Sequence, residues 1–597
     1  MNVIRLFLPA TCLIALAFPA LVHAQSSVNE ALATNIVYAA PAPAGNDANN
    51  GLTVGTPKTL NGAIGAIGTK STKLILLDGD YRQWVNLPSG NNVLVVQAQN
   101  AGQAAISGSD IFTNWTSLGG GLYTVPWTNK WGLASPGFGG LWVNGTAYNV
   151  RMEMVFIDGA PLLQKCDTNG NPVATGTLAA GQFTVNETNN VITFYPLGGT
   201  LSSANKVEVS TRGNTDNLFN ANNHNNLVLR GLVFRHHAGA VNQHAAANLQ
   251  GTGGNGNPNH SVLATNLLVE DCLFALNNAV GLNMATLGYV SLNRVNASTN
   301  GSRGSGFFAT QHGRVTDCQF NANNWRTGWP NIGNDAAGFK MFDGQLNEYT
   351  DTQTGDIQFL RCAFKNNLSV GLWQDYDGTN TVVDSCLFEN NEWGGIDEEM
   401  TPGPLTIRNC VIRNNGYFSL SSYGSPNITL TNTYLYGARI TPLYGQTDPQ
   451  YCAEFYVILD SRTNSALGGN GYGSMSHWVI TNCTIQATFT CTNGIGGATA
   501  TGGETIFYGQ TYGANPNNPP KLSLINTLTS NSNRWWRAAG EQAGVYNSNT
   551  NAFFDLTDYN NWQDSYTIIS FNQWTNQSNT LGKQDRNSVW GHVSLTN

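Results

Sequence analysis

The chain has 597 residues, a net charge of −8 and only 11% charged residues, with its 28 lysines and arginines scattered rather than clustered. Nucleic acid and membrane surfaces are excluded as partners on that ground, because both are held by basic patches, and a strongly anionic polymer fits poorly. Glycine (66 residues), Asn, Ser and Thr are abundant and strong helix formers few, which points to an all-β, turn-rich protein.

The chain opens MNVIRLFLPATCLIALAFPALVHAQ: a lone Arg5, an apolar run from Leu6 to about Leu21, and a small-residue exit at Val22-His23-Ala24. This pattern predicts a cleaved secretory signal over residues 1–24, and no later apolar stretch is long enough for a bilayer span. The expected location is the periplasm or the cell exterior. Residues 25–110 read as an N-terminal cap with the first coils of a solenoid: NIVYAA is a strand, a Gly/Asn turn follows, and LNGAIGAI is a short capping helix. Over 111–210 hairpin-like strands such as GLYTVPW and NNVITFYPLGG predict an inserted, β-sandwich-like domain.

From 211 to 530 a repeat takes over. Cys362, Cys386 and Cys410 are spaced 24 residues apart and open the phrases CAFKNN, CLFENN and CVIRNN, with looser copies at Cys272, Cys318 and Cys483. Short strands with Asn and Gly corners at this period predict a parallel β-helix, whose coils bury their apolar faces only by stacking. The cysteines then form a column of buried free thiols, although Cys483 and Cys491 could pair locally. The Asn pairs fall at corners, where Asn tolerates left-handed backbone and can bond along the stack. A strand opening with Gly follows each corner: GLNMA at Gly281, GFFAT at Gly306, GFKMF at Gly338, GLWQD at Gly371, GIDEE at Gly395. Its second residue points inward, its third and fifth outward.

The coil from Cys318 to Cys362 runs to 44 residues, its excess falling in Trp325–Ala337 and Asp343–Asp356. A third excess, His236–Asn259, carries His236, His237 and His244. Long loops on a rigid scaffold concentrate function. No metal is expected of these histidines without a ligating Cys or Asp beside them; His237 is expected to hydrogen-bond a substrate under a roofing loop. Residues 531–597 read as a tail packing back on the helix.

Between Gly371 and Met400 stand eight carboxylates and no Lys or Arg. Asp384, Glu389 and Glu392 read as solvated corner residues, and Glu398 as inward. On the outward side, Trp373 and Asp375 share one strand, with Asp377 next in phase, and Asp397 and Glu399 the next. Asp375 and Glu399 occupy the same place in adjacent coils, one strand spacing of ~4.8 Å apart, the separation of the two carboxyls of a retaining glycosidase. Like charges that close drive one pKa up, leaving a proton donor and an ionised partner. Trp373 offers a flat face to a sugar ring, and Asp377 and Asp397 are either sugar ligands or surface charge.

GLWQDYD and GGIDEEMTPGPLTIRN resemble the paired motifs of secreted right-handed β-helix carbohydrate-active enzymes, in particular the β-helix β-xylosidase family, glycoside hydrolase family 120. The resemblance implies a right-handed parallel β-helix with Asp375 as nucleophile and Glu399 as acid/base. GIDEE carries three acids where the family carries one, so Glu398 competes with Glu399. NNWRTGW followed by AGFK resembles a segment of related exported proteins, which would put Arg326 and Lys340 beside the cleft, with Trp325 as a stacking residue. The implied activity is retaining hydrolysis of an oligo- or polysaccharide, with no cofactor, no metal and no protein partner. One rival is a polysaccharide lyase, with Ca²⁺ held by Asp375, Asp377, Asp397 and Glu399 and with Lys340 as base; no basic wall is present to neutralise uronates. The other is a non-catalytic carbohydrate-binding β-helix stacking sugars on Trp325, Trp329 and Trp373, which has no use for stacked acids.

Overall fold

The structure is a computed structural model that describes residues 26–134, 141–143, 146–240, 244–252, 263–331, 333, 335–342, 355–376, 378–438, 453–460, 476–487, 505–512, 527–537 and short pieces between 554 and 593. Residues 1–24, read as a signal, together with Asp377, Cys491, residues 343–354 of the second insertion and most of the C-terminal tail lie outside the described residues. Among the described residues no helix is long and apolar enough to cross a membrane.

A regular coil gives one strand to each of three faces. The coil through Cys362 contributes Gly355–Leu360 to one thirteen-stranded sheet, Ala363–Lys365 to a seven-stranded sheet, and Val370–Asp375 to the other thirteen-stranded sheet. The next coil repeats the order with Thr379–Asp384, Leu387–Glu389 and Gly394–Glu399, paired in parallel with its predecessor on all three faces. Stacking follows from the repeated phrases. Their Phe320, Phe364 and Phe388 rings pile up inside at centroid distances of 5.2 and 4.6 Å. In each Asn pair the first residue takes positive φ (Asn366 57°, Asn390 56°, Asn414 55°) and turns the chain. The second joins a buried amide column in which Asn367 donates to Asn391 Oδ1 at 2.8 Å and Asn391 to Asn415 Oδ1 at 2.9 Å.

The described cysteines Cys166, Cys272, Cys318, Cys362, Cys386, Cys410 and Cys483 are all buried and free. Backbone N–H groups donate up the column, from Cys362 to Cys386 Sγ at 3.3 Å and from Cys386 to Cys410 Sγ at 3.4 Å. A helix at Leu60–Ile67, N-capped by the Thr59 hydroxyl, covers the first coils. Between Ser109 and Ser210 the pairing becomes mostly antiparallel, in a four-stranded and a five-stranded sheet around a separate core of Trp127, Phe183, Ile192 and Phe194 among others. Coils continue past residue 530, since Arg534–Arg537 pairs in parallel with Thr484–Ala487.

Two readings of the sequence are corrected here. The stretch His236–Asn259 is not wholly a loop: Ala245–Gln250 is that coil's own strand in the second thirteen-stranded sheet. The strand read as starting at Gly306 starts at Arg303, with Ser305 beside Phe339 and Gly306 beside Lys340. Arg303-Gly304-Ser305-Gly306 offers two glycines two residues apart; a slip of two leaves every side chain on its face, so alternation alone could not expose it.

Candidate active site

Three consecutive strands build the site: Ala337–Phe342, Val370–Asp375 and Gly394–Glu399. Their register sets Lys340 beside Trp373 and Trp373 beside Asp397, and in a second outward row Phe342 beside Asp375 and Asp375 beside Glu399. Backbone pairing therefore holds the last two at one strand spacing, ~4.8 Å. Outward does not mean open: Trp373, Asp375, Asp397 and Glu399 are only 8, 6, 5 and 7% exposed.

The polar atoms are engaged. Lys340 Nζ lies 2.7 Å from Asp375 Oδ2 and 3.7 Å from Asp335 Oδ1, and sits 3.7 Å from the centroid of the Trp373 ring. Trp373 Nε1 donates to Glu399 Oε2 at 3.1 Å. The expectation that Trp373 offers a sugar an open platform is corrected on these grounds: the ring is buried and the Lys340 ammonium lies over it, an exchange of face for cation that aromatic quadrupoles favour. Ser421, from the following strand, donates its hydroxyl to Asp397 Oδ1. Burial, followed by the neighbouring Glu399 and partly offset by that bond, holds the Asp397 carboxyl well above the usual carboxylate range.

The inward row of these strands is unlike the rest of the core. Gln374, Glu398 and Ser422 stand in register where the preceding strands carry Met284, Phe307 and Met341 and the following one Val457. Glu398 is fully buried, accepts the Thr401 hydroxyl at Oε1, and is pushed up to about 8, mainly by burial.

Other residues singled out in the sequence fall elsewhere. His237 is fully buried, its Nε2 2.7 Å from the Asp216 carbonyl oxygen, and burial pulls it down to about 4. It precedes the strand Ala245–Gln250, four strands or ~19 Å from the acid row, so it does not reach the site. Arg326 is buried with Nη1 donating to the Ala240 carbonyl at 2.8 Å, and burial pulls its guanidinium down to about 10, offset in part by the charge of Asp335. Trp325 is 40% exposed in a short hairpin with Trp329–Pro330, before the start of the Lys340 strand and so at the opposite end from the acid pair. That hairpin anchors the inserted domain: Trp329 Nε1 donates to the Gln164 carbonyl at 3.1 Å, and its ring lies 4.7 Å from that of Tyr148. Asp384 and Glu389 are corner residues paired with Arg408 and Arg413. Asp335, Ser421 and Arg303 were not singled out in the sequence. The register of third-position residues could have found Ser421; nothing local marks Asp335.

A family profile described as the right-handed β-helix region matches residues 349–435. Several solved structures match the chain. One, described as a complex of XylC with xylose, is 13% identical with a TM-score of 0.50, over 71% of this chain and 75% of that one. A glycoside hydrolase is 10% identical (TM-score 0.42; 84% and 94% covered), and the A-module of the mannuronan C-5 epimerase AlgE4 of Azotobacter vinelandii 12% (0.43; 81% and 91%). No curated protein matched the chain by sequence. The fold is a right-handed parallel β-helix.

Proposed function

We propose that this protein is a retaining glycoside hydrolase, with Asp375 as nucleophile and Glu399 as acid/base. The observation that carries the reading is the register pairing of Asp375 with Glu399 on adjacent strands. Two carboxyls ~5 Å apart leave no room for the water that an inverting mechanism sets between them, and suit direct attack on the anomeric carbon. Lys340 pairs with Asp375 Oδ2 and holds it as the charged carboxylate that attack on the sugar requires. The Trp373 N–H donates to Glu399 Oε2 and orients the carboxyl that would hand over the proton. Glu399 gives its proton to the departing oxygen, then takes one from the water that releases the sugar from Asp375. Asp397, protonated, donates a hydrogen bond to a substrate hydroxyl. Fold similarity to a structure of XylC with xylose supports a sugar as ligand.

The lyase reading asks Lys340 to accept a proton, for which it would first have to leave its ion pair with Asp375. Products separate the two: saturated sugars support hydrolysis, unsaturated ultraviolet-absorbing ones a lyase. Within the hydrolase reading, Asp375→Ala is expected to abolish turnover. Glu399→Ala should retain activity on aryl glycosides with good leaving groups, and azide should accelerate it and yield a glycosyl azide of retained configuration. The same rescue in Glu398→Ala but not Glu399→Ala would transfer the acid/base role to Glu398. An azide product of inverted configuration would end the two-step reading.

A further inference from the structure

The outer row of the sheet does not stop at Lys340. On the strand before it, Gly306 occupies the position in register with Lys340 on one side and Asn283 on the other. Having no side chain, Gly306 leaves a gap, and Arg303 from the start of the same strand fills it: a Cβ on Gly306 would come within 3.2 Å of Arg303 Nε. The guanidinium lies 4.6 Å from the centroid of the Phe308 ring and donates from Nη2 to Asn283 Oδ1 at 3.0 Å. Nε and Nη1 have no hydrogen-bond partner, although the residue is fully buried. Asp335 Oδ1 stands 4.0 Å from Nη1, an ion-pair distance without a hydrogen bond, and is shared with Lys340. Burial lowers Arg303 only to about 10, so it remains a cation at neutral pH.

A buried guanidinium with two of its nitrogens unbonded is costly to keep, and Arg presents its N–H groups as a fork matched to a carboxylate. The fork lies one strand from Lys340 and two from Asp375, on the same face. We propose that Arg303 is a specificity-determining residue that receives the carboxylate of a uronic acid unit adjoining the cleaved bond, at the place where Asp335 now stands. This rests on the glycosidase reading for the bond that is cleaved, but not for the binding itself. One such cation, without a basic wall, fits a largely neutral glycan with an acidic unit at one position rather than a polyuronate.

The test is equilibrium binding of methyl β-D-glucuronide and methyl β-D-glucoside to the full chain, ligands that differ only in oxidation at carbon 6. The glucuronide is expected to bind at least tenfold more tightly, with the advantage shrinking as salt rises and vanishing in Arg303→Gln and Arg303→Met while glucoside binding is unchanged. Equal affinity in the wild-type chain overturns the proposal without recourse to a variant. So does an advantage that survives in a folded Arg303 variant, or a variant that weakens both ligands alike, which would make the fork a receptor for hydroxyls. If aryl glycosides are not hydrolysed but the glucuronide preference follows Arg303, the glycosidase reading fails and this one stands.

Discussion

Trp373 links the two sides of the site, with Lys340, the partner of Asp375, over its ring and Glu399 at its N–H. Trp373→Phe keeps a ring under the ammonium and deletes only the donor. A hydrogen bond to a charged group is worth about 1.5–3 kcal/mol, so kcat should fall roughly 10- to 100-fold with KM little changed. A rise in KM with kcat intact would return Trp373 to the role of sugar platform. The contact itself was calculable from the sequence: Lys340 and Trp373 are both third residues of Gly-initiated strands on successive coils, so they had to adjoin. What alternation cannot tell is whether an outward residue meets solvent or its neighbour. Arg303 was illegible for a different reason. Its reach depends on an absent side chain, and a strand taken to begin at Gly306 hides the glycine's place in the outer row.

At the scale of the strand and corner, legibility was high wherever the repeat was strict. The 24-residue spacing made the coils through Cys362, Cys386 and Cys410 readable to the residue, including the register of 375 with 399. It failed where the period broke, at His236–Asn259, because a strand of small residues such as AAANLQ carries no hydrophobic alternation to announce it. The amide column is the element whose loss should be felt most. Asn391 donates to Asn415 and to the Phe364 carbonyl, and accepts from Asn367 at both backbone and side chain. Asn391→Ala strands several buried groups at once and should cost about 2–4 kcal/mol in denaturant unfolding. A loss under about 0.5 kcal/mol would mean that the column is ornamental to stability.

Across the whole molecule, three buried glutamic acids share one sign. Burial raises Glu153 and Glu454 to about 7 and Glu398 to about 8, from an ordinary 4.5. Below 4.5 folded and unfolded chains both hold these protons. Above it the unfolded chain releases them first, so stability falls with rising pH until each folded group ionises. His237, held near 4 against an ordinary 6.5, acts oppositely, its contribution being complete above 6.5 and lost as pH falls toward 4. Between pH 6.5 and 8 the acids act unopposed by it, at up to about 1.4 kcal/mol per pH unit for each group still protonated. The thermal midpoint should therefore drop from pH 6.5 to 8, and Glu398→Gln should flatten the drop. A midpoint that rises over that interval would show these carboxyls to be ionised in the folded chain.

The backbones that carry the two carboxyls are set one peptide hydrogen-bond repeat apart, and that makes their spacing a ruler with one graduation. Loops at the rim can lengthen, shorten or exchange residues without touching it, so ligand preference can drift in evolution while the gap between the acids does not. The ruler is also digital. Duplicating a single coil between them would move the gap to two graduations, ~9.6 Å, about the upper limit for inverting enzymes. On the proposed reading, a stack of this kind changes stereochemical outcome by a jump from one coil spacing to two.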